Sequence, residues 1–139
     1  MYNKNYRAVI FNALTQPILV IDTNYRVVDA NQAACDLMKL SFDQIVGKAC
    51  HQLSHRNQRP CWKIGDTNCP VKLAIINKRP IRVVHEHNHN PGSKIEEIIA
   101  TPIFDTDGSV NYVAEELREL SNLLQVTETR CHRRMNAIT

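Results

Sequence analysis

With 139 residues, 43% of them hydrophobic, the chain can fill one core of ordinary size and not two, so a single domain is expected. Its net charge of +3 comes from Lys and Arg spread along the whole length, which argues against a nucleic-acid partner. No run nears the roughly 20 apolar residues that span a bilayer, and the opening "MYNKNYRAVIFNAL" lacks a signal-peptide core, so no membrane insertion and a cytoplasmic location are expected.

The segment "RAVIFNAL" sets Val9, Ile10, Ala13 and Leu14 at helical spacing, and Gln16 ends that helix because a residue before proline avoids helical geometry. "PILVID" and "RVVDA", joined by "TNYR", are read as a hairpin. Asn31 suits the N-cap of "QAACDLMKL", whose apolar face is Ala33, Ala34, Leu37 and Met38; Cys35 on the same helix is expected in the core. Ser41 starts a second short helix, "SFDQIVG", with Asp43 and Gln44 in its first turn and Gly47 at its end.

Next comes "ACHQLSHRNQRPCWKIGDTNCPVK", with three of the five cysteines and two of the six histidines. An odd number of thiols in a reducing compartment is poorly explained by disulfides, which leaves metal binding, redox chemistry or plain burial. Thiolates with imidazole suit zinc or an iron–sulfur cluster and do not suit magnesium or calcium. Two ligand sets compete. Cys50 and His55 are five residues apart, about 500° of helical rotation, so they share a metal only if the helix ends or bends between them. His51 and His55, four apart, would share a helix face. Cys50 beside His51 could pair as thiolate and base, but nothing marks an oxyanion hole or an orienting third group, so no enzyme is expected. Nor is there a Gly-rich phosphate loop.

"PVKLAIINK" can begin a helix at Pro70, with Val71, Leu73, Ala74, Ile75 and Ile76 to bury. "PIRVVHEHNHN", "KIEEIIATPIFD" and "VNYVAEELREL", separated by "NPGS" and "TDGS", form a three-stranded antiparallel meander. Period-two alternation puts His85, His87 and His89 on one face with Ile81 and Val83, and that face should point inward, with His85 the most buried. Such a histidine could ligate haem iron, complete the Cys/His site, or bond a buried backbone group. Finally, Leu117, Leu120, Leu124, Thr127 and Cys131 recur at three- and four-residue steps. They form a thin seam on which exit helices of two copies could pair, with Cys131 placed to crosslink them; the plain alternative is a frayed polar helix. His132, in the basic "TRCHRRM", is expected in solvent.

The opening "FNALTQPILVIDTNYRVVDANQAACDLMKLSFDQIVGKAC" and the closing hairpin "EEIIATPIFDTDGSVNYVAEELREL", with Pro102 and the Asp107-Gly108 turn, resemble a PAS domain over roughly Lys4 to Leu120. The likeness implies an α+β fold: a five-stranded antiparallel sheet with short helices on one face and a C-terminal exit helix. The expected division is a helical lead-in over 1–16, the PAS domain over 17–119 and a signalling helix over 120–139. It implies a sensor, in a homodimer, passing its signal to an output such as a histidine kinase. The "Asp-Ile-Thr" triplet that commonly precedes such an output is replaced here by "ELRELSNL". The Cys/His stretch is similar to that of a subset of sensor PAS domains, which implies the ligand set Cys50, His55, Cys61 and Cys69, with His51, His85 and His87 as further candidates. Seven residues separate Cys61 from Cys69 where two is more usual. The function implied is sensing of metal or redox state through zinc or an iron–sulfur cluster. The alternatives are a haem or small-ligand receptor using the histidine-faced strand, and a cofactor-free dimerisation module.

Overall fold

The computed structural model describes residues 5–54, 69–88 and 93–120. In chain order these form α1 (Asn5–Ala13), β1 (Ile18–Asp22), β2 (Val27–Ala30), α2 (Gln32–Met38), α3 (Phe42–Ile45), α4 (Cys50–Ser54), α5 (Pro70–Asn77), β3 (Ile81–Asn88), β4 (Ser93–Phe104) and β5 (Val110–Glu119). The five strands make one antiparallel sheet in the order β2-β1-β5-β4-β3. The last strand is thus the central one, bonded on both sides, as the α+β reading requires. Among the described residues no helix is long and apolar enough to cross a membrane.

Sequence-local chemistry sets the helix starts. Asn31, fully buried, accepts from the Ala34 and Ile18 amides at 3.0 and 2.9 Å through Oδ1, and its Nδ2 donates to the Gln16 carbonyl at 2.9 Å. One side chain therefore caps α2 and fastens it to the head of β1. Ser41 and Gln44 form the reciprocal capping box of α3. Pro70 begins α5, where its missing amide is no loss.

Because partners in an antiparallel ladder share a face, the register gives the inner surface as four rungs. One holds Val27, Ile21, Val113 and Pro102; the next holds Ala30, Leu19, Glu115, Ala100 and Ile81. The third is Leu117, Ile98 and Val83, and the fourth Glu119 and Glu96. Leu19, Ile21, Val27, Ala30, Ala100 and Val113 pack with Ala34, Cys35, Ile45, Val71 and Ala74 from the helices. Burying this surface stabilises the fold by about 25 cal/mol for each Å² removed from water.

Three expectations are corrected here. Leu117 was assigned to the dimer seam, but it lies inside β5, 1% exposed, opposite Ile98. Its two-residue spacing from Val113 and Glu115 prevails over the three-residue spacing to Leu120, since two strands of hydrogen bonds hold β5 extended. Leu120 is half-buried, and its amide still donates to the Ile95 carbonyl at 3.0 Å. Ile76 does not join the buried face of α5; it is 62% exposed, whereas Val71 and Ala74 point to the sheet.

Candidate functional site

Cys50 is placed by the chain just before it. Gly47, at φ +91°, lets the backbone reverse after α3; its amide donates to the Val27 carbonyl, and the Val27 amide donates back to Lys48. The Cys50 amide then donates to the Tyr25 carbonyl at 2.8 Å. This stitching lays the start of α4 along β2 and turns the Cys50 thiol into the core. Cys69 is placed by α5: it occupies the N-cap position, makes no side-chain cap bond, and is 5% exposed. α5 packs on β3, β4 and β5, so its first residue meets the inner face of the sheet.

On β5, within electrostatic reach of both thiols, is Glu115, 4% exposed and flanked in its rung by Leu19 and Ala100. Burial pushes its carboxyl up to about 8, with Cys69 and then Glu96 adding to the rise. The Cys50 thiol is raised by burial first, then by Glu115 and Cys69, and the Tyr25 hydroxyl by burial, Cys69 and Cys50. Near neutrality Glu115 and the Cys50 thiol keep their protons, because burial withholds the water that would solvate their charge. Such thiols are poor nucleophiles. They are suited to exchanging protons for a soft cation, which supplies the charge that burial otherwise forbids.

Of the residues singled out from the sequence, Cys50 and Cys69 come together, each within the electrostatic reach of the other. His51 is 7% exposed, and its Nδ1 is buried with no hydrogen-bond partner among the described residues. His85 and His87 fall in β3, in register with Glu96 and Lys94. Cys35 is buried in the core, as expected. His55, Cys61, His89, Leu124, Cys131 and His132 lie outside the described residues. Among the described residues, no group of three or more His, Cys, Asp or Glu side chains is arranged to hold a metal ion.

Glu96, Glu115 and Tyr25 were not singled out from the sequence. A signal for the two glutamates was present: each sits two residues from an inward apolar residue, Ile98 for Glu96 and both Val113 and Leu117 for Glu115. Alternation therefore puts both carboxyls on the core face.

At the fourth rung the inner face opens into a cleft of about 510 Å³. Glu96, 1% exposed, lines it with Glu119 and Arg118, while Pro17, Leu37 and Leu117 form its apolar side. Gln16, also at the cleft, is committed to the Leu117 carbonyl through its Nε2.

Comparison with known proteins places this architecture. A PAS domain from Colwellia psychrerythraea superposes with a TM-score of 0.70 at 18% identity, over 85% of this chain and 97% of that one. The PAS domain of Bordetella pertussis BvgS gives 0.61 at 14% identity, over 92% and 96%. VqmA of Vibrio cholerae, in a complex with ligand and DNA, gives 0.67 at 18%, over 95% of this chain but 58% of its own. None of the curated proteins compared with the chain matches it. The family model described as PAS fold matches residues 11–125, and the chain belongs to that family.

Proposed function

We propose that this PAS domain is the sensory module of a signalling protein, and that it binds zinc or an iron–sulfur cluster through Cys50, His55, Cys61 and Cys69 to report metal or redox state. The observation that carries the reading is the convergence of Cys50 and Cys69 beneath the central strand. They stand at the two ends of the segment that contains His55 and Cys61, so half of the ligand set is gathered by the fold itself. Each thiol alone could be a small buried hydrophobe. Two of them beside a buried carboxyl form instead a polar cluster in an apolar core, and such clusters call for a specific account.

α5 begins at Cys69 and packs on three strands. Gain or loss of a cation there would shift α5 against the sheet, and β5 would carry the change toward Leu124 and Cys131 and a partner copy. An output of the histidine-kinase kind is supported by a solved neighbour, the PAS domain from a two-component sensor histidine kinase, at TM-score 0.64.

The test is metal and acid-labile sulfide content, with a visible spectrum, on protein purified without oxygen or chelator. About one zinc or one cluster per chain is expected, lost in Cys61→Ser and Cys69→Ser. A colourless, metal-free, folded protein would overturn the metal reading, as would full metal content in both variants.

A further inference from the structure

We infer that the Tyr25 side chain is a gate on the buried thiol pair, whose movement admits a metal ion or a thiol reagent to Cys50 and Cys69. Tyr25 adopts φ +65° in the turn between β1 and β2, a left-handed conformation that glycine takes freely and an aromatic residue takes at a cost. The turn closes around Asp22. Its Oδ1 accepts from the Asn24 and Arg26 amides at 2.9 and 3.0 Å, and its carbonyl accepts from the Tyr25 amide at 3.0 Å. No side chain at position 25 takes part in these bonds, so the turn itself does not call for a tyrosine. Strain of this kind collects at clamps and switches, where another interaction offsets it.

That interaction is the packing of the ring. Tyr25 is half-buried and lies against the core cluster that holds both thiols, which are themselves 8% and 5% exposed. Its hydroxyl is raised by burial and then by Cys69 and Cys50, which sets the phenol end beside the pair rather than out along the turn. The main chain around it is held fast. The Tyr25 carbonyl accepts from the Cys50 amide at 2.8 Å, Arg26 pairs with Ala49, and the Arg26 guanidinium donates to the Gly47 carbonyl at 2.9 Å. The movement that uncovers the thiols is therefore rotation of the ring about its own side-chain bonds, a local opening that breaks packing and leaves these backbone bonds in place. Such a gate controls access to the pair whatever the pair binds, and does not depend on the metal reading.

Peptide-resolved labelling of the native, metal-free chain with iodoacetamide tests this, with Cys35, buried on α2, as the internal control for general opening. Tyr25→Gly removes the ring and suits the turn, because glycine accepts the same φ. Tyr25→Asn, also tolerant of that φ, takes its place if the glycine variant fails to fold, and the thermal midpoint decides which is used. Combined labelling of Cys50 and Cys69 should be about tenfold faster or more in the ringless variant, with Cys35 unchanged and Tyr25→Phe close to wild type. Zinc should likewise be taken up faster by the ringless variant. A chain that takes up no zinc but labels as expected would overturn the metal reading and leave the gate standing. Unchanged labelling of the pair in a folded ringless variant, an acceleration that Cys35 shares, or zinc uptake at the same rate with and without the ring would overturn the gate.

Discussion

A carboxyl group set between Leu19 and Ala100 in the middle of the central strand has no water in which to ionise, so its proton is part of the folded state. Among the described residues the groups that act on it are Cys69 before α5, Cys50 on α4 and Glu96 on β4, and none of these offers a positive charge. Its pKa rises from an ordinary 4.5 to about 8 on folding. Below the unfolded value both states are protonated and nothing is lost. Above it the unfolded chain ionises and the folded chain does not, so stability falls as pH rises toward the folded value. For metal-free protein the expected loss is up to about 1.4 kcal/mol per pH unit in that window. Glu115→Gln should flatten the profile, as read from urea midpoints at about pH 5, 6.5 and 8; an unchanged slope would assign it elsewhere. Asn31 is the contrasting buried polar residue, with bonds at both ends of its amide. Asn31→Ala leaves two amides and a carbonyl to find new partners. It should cost about 1–3 kcal/mol, seen as a lower midpoint at constant m.

At the scale of the element, β5 decides what the sequence discloses and what it hides. Helix starts were legible because their determinants are local: Asn31, the Ser41–Gln44 box and Pro70 each act within one turn. Leu117 was not, because "LREL" satisfies a helical step while "VAEEL" satisfies a strand, and pairing with β1 and β4, remote in sequence, settles it. Ile76 failed for a related reason: an eight-residue helix can turn only one side to a sheet, and Val71 and Ala74 took it. In the candidate site, Cys50 and Cys69 were legible as residue types, whereas Glu115 enters through register, which only the assembled sheet fixes. The strand assignment of Leu117 has a direct consequence. Leu117→Ala removes a fully buried side chain from the core and should destabilise by about 2–5 kcal/mol. It should leave self-association of the folded fraction unchanged by sedimentation. A dimer lost with little change in stability would restore Leu117 to the seam.

At the scale of the whole molecule, among the described residues, the sheet is covered on one side only. Its inner rungs meet the helices, while Val84, Ile95, Ile103 and Tyr112 stand exposed on the strands, as do Tyr6, Val9 and Ile10 of α1 and Leu14 just after it. Among the described residues stability rests on this inner core, which contains Cys50, Cys69 and Glu115. A ligand that binds there only in the folded state must stabilise the entire fold by mass action. Zinc at a hundred times its dissociation constant should add about 2.7 kcal/mol, a rise of roughly 7–12 °C in Tm for a domain of this length. Because the Cys50 thiol keeps its proton in the metal-free fold, capture of the metal as thiolate releases that proton, so the gain should shrink as pH falls. Scanning calorimetry with added zinc, then with excess chelator, reads both effects. A chelator-reversible rise that weakens at lower pH and vanishes in Cys69→Ser is the expected result. A midpoint indifferent to zinc at every pH would leave the buried thiols as packing groups and the core as a purely apolar one with a protonated carboxyl at its centre.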